Sequence, residues 1–516
     1  MRKNVLAKSI AAAVAGLGLV SGAYAITVAD ISGTATDLRL STSGTGHSLF
    51  VPYFTTQSGN STLLSLVNTD TTNGKAVKVR FRGASNSDDI FDFQVFLSPG
   101  DVWTANISAN SDGLSYLTTA DNTCTKPSKA TLNSTPFITS RLNPLATTAA
   151  KAAGTREGYV EIFNMADIPP AAALFPAIKH VAGVAPCGSA TGTALTAWTS
   201  LDTNASLATY TGATIGLANP TTGLLANYTY INVPKALSWT GEAQAVEAVD
   251  ATPALATGNI VYFPQSAAPV PVAAAVGFTA DPLLATGIVV AGMYDLPDMS
   301  TPYAGGVGVT PSAQAINLTA AIAATSVINE FVTEPGIFAE TDWVFSMPTR
   351  RYAAAVKYAP PISIVQNPLN ITYFDVATNL TLTGDQICVT GLSTLPAGDG
   401  ATLNQEEGSL ASSEEVVISP GLPAAPLTFC GEDSVLSFNS GLSESDPTLV
   451  LGATVAKKAI DLPYTNGWMK IATPGATPGV GLPVIGKSFI SAFNPSVSAG
   501  TAGNFGMGWA HRYTRP

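Results

Sequence analysis

The sequence predicts a mainly β protein: immunoglobulin-like β-sandwich domains with a looser, partly helical middle region. Three observations carry this reading. Residues 76–82 alternate strictly, with Val77, Val79 and Phe81 set against Lys78, Arg80 and Arg82, which is the period of a half-buried strand. Similar short runs are separated by turn signals such as Asn73-Gly74 and Ser98-Pro99-Gly100. Only 11% of the 516 residues are charged, against about 25% in ordinary soluble domains. Thr, Ser, Asn and Gly supply the polarity instead, and they suit packed strands and turns.

Residues 1–25 read as a secretory signal peptide. Arg2, Lys3 and Lys8 form a positive start, Ser9 to Ser21 is small and apolar, and Ala23-Tyr24-Ala25 fits a signal-peptidase site. The mature chain is expected to begin near Ile26. The apolar run is too short for a membrane anchor, and no transmembrane span is expected.

A β-sandwich domain is expected over 26–165. Ser61–Asn68, Ala76–Arg82, Asp92–Leu97 and Asp101–Ile107 are its strands, with Gly158–Asn164 another, stopped by Pro169-Pro170. Residues 166–340 form a mixed middle region. Leu201–Ala208 and Leu224–Val233 read as strands there, and Glu242–Asp250 as a short helix or a strand. Pro311–Glu334 reads as a helix closed by Pro335-Gly336, although β-branched Thr325 to Ile328 also fits a strand. Residues 341–516 return to β, with strands at Trp343–Pro348, Arg351–Tyr358, Asn370–Val376, Gln386–Thr390, Glu415–Ser419 and Ser434–Phe438. Ala397–Ser413, rich in Gly, Ser and Glu, is a loop. No fixed-period repeat supports a solenoid or propeller.

The net charge of −11 becomes more negative once the three signal-peptide cations are removed. Such an acidic chain disfavours nucleic acid and anionic lipid as partners. The four cysteines, Cys124, Cys187, Cys388 and Cys430, suit disulfides in an exported protein. Cys124–Cys187 and Cys388–Cys430 are preferred because each closes a local loop; other pairings, or four buried thiols, remain alternatives. The tail Trp509 to Pro516 carries no lipid or sortase signal and no terminal aromatic of an outer-membrane barrel strand. Attachment to the outer envelope is therefore expected to be non-covalent.

Several motifs invite a chemical reading. Gly481 to Ser488 fits the phosphate-loop pattern G-x-x-x-x-G-K-[ST], but Pro-Gly turns precede it and Phe489 to Pro495, a short strand ending at proline, follows where a helix is required. His47, His180 and His511 are the only histidines, and no Gly-x-Ser-x-Gly occurs. His47 and His511 read as surface residues. Asp88/Asp89, Asp295/Asp298, Glu406/Glu407 and Glu414/Glu415 lie in turns or loops; no metal ligands are assigned, and calcium is the one cation such loops suit. Trp103, Trp198, Trp239, Trp343, Trp468 and Trp509 are spread along the chain and read as core residues rather than a sugar platform. Lys78, Arg80 and Arg82 read as the wet face of a strand, neutralised by Asp88, Asp89 and Asp92.

Three stretches carry a resemblance: Val51 to Gln57 with Ser61–Asn68 and Lys75–Trp103, then Thr341 to Tyr352, then Trp509 to Arg512. Together they resemble exported cell-surface or surface-layer-like proteins of Gram-negative proteobacteria. The resemblance covers about a third of the chain and implies no catalytic residue. It implies an acidic subunit poor in Lys, Cys and Met and rich in Thr, Ser, Ala and Gly.

The expected function is that of a non-enzymatic cell-surface structural protein, a self-associating surface-layer-type subunit outside the cell. An adhesin or glycan-binding module is the alternative, and an exported hydrolase a third reading. No catalytic or cofactor-binding residue is assigned, and calcium is the only cofactor considered.

Overall fold

A computed structural model describes residues 32–143, 146–203, 207–265, 297–306 and 309–352, and beyond them 354–357, 363–366, 380–383, 386–389, 429–438, 442–443, 446–460, 465–473, 481–494, 496–498 and 503–516. The signal segment 1–25, the expected strands Asn370–Val376 and Glu415–Ser419 and the loop Ala397–Ser413 lie outside these residues. The chain is mainly β, with sheets that are antiparallel apart from one parallel edge pair.

The alternation in the first half places apolar side chains between two sheets. Seven strands run in the order β1 (Asp37–Leu40), β12 (Gln244–Val249), β2 (Ser48–Thr55), β9 (Glu157–Ile168), β4 (Gly74–Gly83), β5 (Asp89–Leu97), β8 (Cys124–Lys126). Five more run β11 (Leu237–Glu242), β10 (Leu224–Asn232), β3 (Asn60–Asn68), β6 (Val102–Ala109), β7 (Ser115–Thr118). Val77, Val79 and Phe81 of β4 meet Leu64, Leu66, Trp103 and Tyr228 between the sheets, all buried. Residue 165 lies inside β9, and β10 to β12 complete both sheets.

The other face of the seven-stranded sheet is covered by a helical layer. Phe50, Ala76, Phe96 and Ile168 pack there against Phe175, Ala197, Leu318 and Ile322. The expected strand Leu201–Ala208 is corrected here. A helix, Gly192–Ser200, precedes it, and another, Leu207–Thr211, overlaps its end. Ala194 and Ala197, three residues apart, form the buried stripe of the first of these.

The helix expected over Pro311–Glu334 stops at Ile322. Thr310 caps it by accepting the N–H of Ala313, and Pro311 sits in its first turn. The β-branched residues that follow form the strand Ser326–Val332, in line with the alternative reading of that segment. Arg351–Tyr358 is also split, into a 3-10 turn at Arg350–Tyr352 and a strand at Ala354–Lys357.

The C-terminal part is centred on the strand Glu340–Ser346, flanked by Asp433–Phe438 and Lys487–Phe493, with Asn504–Ala510 at one edge and Lys457–Ile460 parallel at the other. A three-stranded sheet packs on it through Phe331, whose ring stacks on Phe438 at 4.9 Å. Val344, Val435 and Phe489 join the core of the first sandwich, and Trp239 Nε1 donates to the carbonyl of Ile490 at 2.7 Å. Gly506 makes this approach feasible, since a Cβ there would lie 2.1 Å from the carbonyl oxygen of Ser238.

Candidate functional site

The outer face of the five-stranded sheet β11-β10-β3-β6-β7 is a surface built by regular register. Alternation turns Ser61, Leu63, Ser65 and Val67 of β3 outward, with Leu225, Asn227, Thr229 and Ile231 of β10 and Val102, Thr104, Asn106 and Ser108 of β6. One row crosses all five strands: Thr240, Thr229, Leu63, Asn106, Thr118. The next reads Glu242, Asn227, Ser65, Thr104. Leu63 is 37% and Val102 47% exposed. Glu242 is the only charged side chain among the described outward residues of these strands, and it lies on the edge strand β11. Lys487 stands at the same rim and donates to the carbonyl of Thr240 at 2.6 Å. Burial holds the Lys487 ammonium below its usual range, and the Glu242 carboxylate opposes that. The hydroxyls and amides of the face make only long contacts with one another, such as Ser65 Oγ to the carbonyl of Asn227 at 3.5 Å, so their hydrogen-bonding capacity points outward.

The residues singled out in the sequence are placed differently. Lys78, Arg80 and Arg82 do not form a wet face: all three are fully buried. The register sets Arg80 between Glu161 on β9 and Asp92 on β5. Arg80 Nε lies 3.2 Å from Asp89, Arg82 Nε 3.2 Å from Glu161, and Arg141 Nη1 2.6 Å from Asp89; Lys78 pairs with Asp92. The expected partners Asp89 and Asp92 are thus used. The face is dry because distant chain covers it: Arg80 donates to the carbonyl of Pro297 at 2.8 Å, Tyr159 to that of Pro348 at 3.3 Å, and Arg351 to that of Ser87. Glu432 enters the same network beside Arg350 and Arg351, and burial pushes its carboxyl up to about 7 despite those cations.

His47 and His511 are likewise buried rather than exposed, at 1% and 5%. Each accepts at Nδ1 and donates at Nε2: His47 between the N–H of Ala248 and the carbonyl of Ala256, His511 between the Asn329 amide and the carbonyl of Val344. Burial lowers both to about 3. His180 meets Ser98 Oγ at 2.8 Å and Asp101 Oδ2 at 3.6 Å, both through Nδ1. A charge-oriented serine needs the hydroxyl and the carboxylate on opposite ring nitrogens, so this trio is a turn contact.

The phosphate-loop pattern leads into the strand Lys487–Phe493, as expected, and Lys487 is engaged at the sheet rim. Asp89 pairs with arginines, and Asp298 accepts from Ser300 and Thr301 beside it; Asp295, Glu406, Glu407, Glu414 and Glu415 lie outside the described residues. Among the described residues no group of three or more His, Cys, Asp or Glu is placed to hold a metal ion. Trp103, Trp239 and Trp343 are core residues, while Trp198 borders a cleft. Cys124 and Cys187 form a disulfide. Cys388 lies directly opposite Cys430 on adjacent antiparallel strands. No helix among the described residues is long and apolar enough to cross a membrane.

Compared with protein-family models, curated proteins and solved structures, the chain matches none.

Proposed function

We propose that the protein is a non-enzymatic, exported subunit of the cell surface that associates with copies of itself as part of a surface-layer-type assembly, held non-covalently at the outer envelope. In this reading the paired sheets serve as an immunoglobulin-like framework. The observation that carries it is the five-strand row Thr240, Thr229, Leu63, Asn106, Thr118, which is uncharged and outward-facing. Burying this row desolvates no ion, and ion desolvation is the main cost of closing a polar contact. Hydroxyl and amide groups can exchange water for one another across it, while Leu63 and Val102 add apolar area. The occupant is a second copy of the same face or its rim. Placing lysines at Leu63 and Thr229 sets like charges into the centre of the contact. Light scattering of chain 26–516 across a concentration series tests this: the native chain is expected to form larger species and Leu63→Lys/Thr229→Lys to remain monomeric. A native chain that stays monomeric at every concentration, or assembly unchanged by the lysines, refutes the reading.

A further inference from the structure

The edge strand β8 borders a cleft of about 910 Å³, a volume in the range of small-molecule sites. Local chemistry builds its walls. The Cys124–Cys187 disulfide ties β8 to the turn that begins the far wall, and the N–H of Ala185 donates to the carbonyl of Asn122 at 3.2 Å. Lys126 extends from β8 over the indole of Trp198, its ammonium 4.2 Å from the ring centre, and both oxygens of Asp202 accept from it at 2.8 Å. Phe96 meets the indole in a T-shaped contact at 5.0 Å.

The cleft is rich in polar groups but carries no surplus charge. Lys126 is answered by Asp202. Lys129 donates to the carbonyl of Asp121 at 2.8 Å and to Asn122 Oδ1 at 3.0 Å. Burial lowers the Lys126 ammonium, while Asp202 opposes the shift. An ionic ligand would have to displace these pairs. Asn122, Thr123, Ser128 and Gln265 also line the cleft. Beside the indole stands Gly188, exposed and without a side chain, where an added Cβ would sit 3.5 Å from Trp198 Nε1. An aromatic surface flanked by carboxylate, amide and hydroxyl groups, with its charges already paired, suits a ligand that offers C–H faces and many hydroxyls.

We infer that the cleft between Lys126, Trp198 and Asp202 binds a neutral saccharide. The cleft shares no residue with the outer face of the five-stranded sheet, so this inference stands or falls apart from self-association. Calorimetric titration of chain 26–516 with the neutral trisaccharides of glucose, mannose, galactose and N-acetylglucosamine tests it, with a heparin tetrasaccharide as the anionic comparison. At least one neutral trisaccharide is expected to bind and to shift the tryptophan emission, with heparin much weaker. Trp198→Ala is expected to weaken that binding at least tenfold. Gly188→Leu, at an exposed position that can take a side chain, is expected to do the same by covering the indole, with an unchanged circular-dichroism spectrum. The inference is overturned if none of the four trisaccharides binds, if heparin binds in preference, or if Gly188→Leu folds and leaves the affinity unaltered.

Discussion

The carboxylate of Glu157, fully buried on β9, accepts the backbone N–H of Val455 at 2.7 Å. The same group accepts the N–H groups of Thr454 and Ala456, the Gln57 amide and the Tyr53 hydroxyl, between 2.8 and 3.1 Å. One side chain of the first sandwich therefore satisfies three consecutive amides of a segment about 300 residues later. Glu157→Gln would turn an NH₂ toward some of these donors and remove the charge that strengthens every bond. It is expected to destabilise the protein by roughly 2–4 kcal/mol and to speed proteolysis within 446–456. Urea unfolding with peptide mapping of the nicks checks both; a loss within error would mean the segment is held by apolar contacts alone.

The buried ionic network makes a second prediction. Removing one partner leaves the other desolvated, so Arg80→Met should cost about 3–5 kcal/mol. Arg82 and Glu161, at 3.2 Å, should not behave independently. In a double-mutant cycle, Arg82→Met with Glu161→Leu is expected to lose less than the two single losses together, by roughly 0.5–3 kcal/mol. Additive losses would show that the pair is not coupled.

A third prediction concerns pH. His47 and His511 titrate near 3 in the fold against 6.5 ordinarily. Between those values the unfolded chain binds more protons than the folded one, so the stability present above pH 6.5 is lost as pH falls through that window. Each histidine is expected to cost roughly 2 kcal/mol on going from pH 6.5 to 5. Glu432 acts in the opposite sense: raised from 4.5 to about 7, it contributes fully below 4.5 and loses that contribution as pH rises through 7. Denaturant midpoints at pH 5, 6 and 7 should show His511→Gln flattening the acid limb and Glu432→Gln removing the loss toward neutral pH.

The disulfides allow a fourth. Cys124–Cys187 spans 63 residues, and Cys187→Ser is expected to cost about 2–4 kcal/mol. Non-reducing peptide mass mapping is expected to recover a Cys388–Cys430 linked peptide as well, since the strand register sets the two opposite each other. Recovery of both as alkylated free thiols would exclude that second bridge.

The strands with clean alternation were legible because one face meets the core and the other does not: Ser61–Asn68 and Leu224–Val233 differ from the observed elements by a single end residue. β2 escaped because both its faces are buried, which erases the period and leaves Leu49 to Phe54 as an apolar run interrupted by Pro52. The burial of Lys78, Arg80 and Arg82 was illegible for a different reason. A charged row normally marks the wet side, and the segments that cover it, around Pro297, Pro348 and Arg351, come from elsewhere in the sequence. The composition pointed to hydroxyl- and amide-bearing sheet surfaces, but the row that assembles them draws one residue from each of five separate strands and needs the register to be seen. Trp198 was counted with the core tryptophans because nothing local distinguishes an indole at a cleft from one beneath a sheet.

The pairing of β1 with β12 sets Asp37 against Val249. A nascent polypeptide therefore has nowhere to lay its first strand until more than two hundred further residues have emerged, and both sheets wait on the same late hairpins. Until then the amino-terminal half is an open template with unpaired edges, the state most in need of a chaperone.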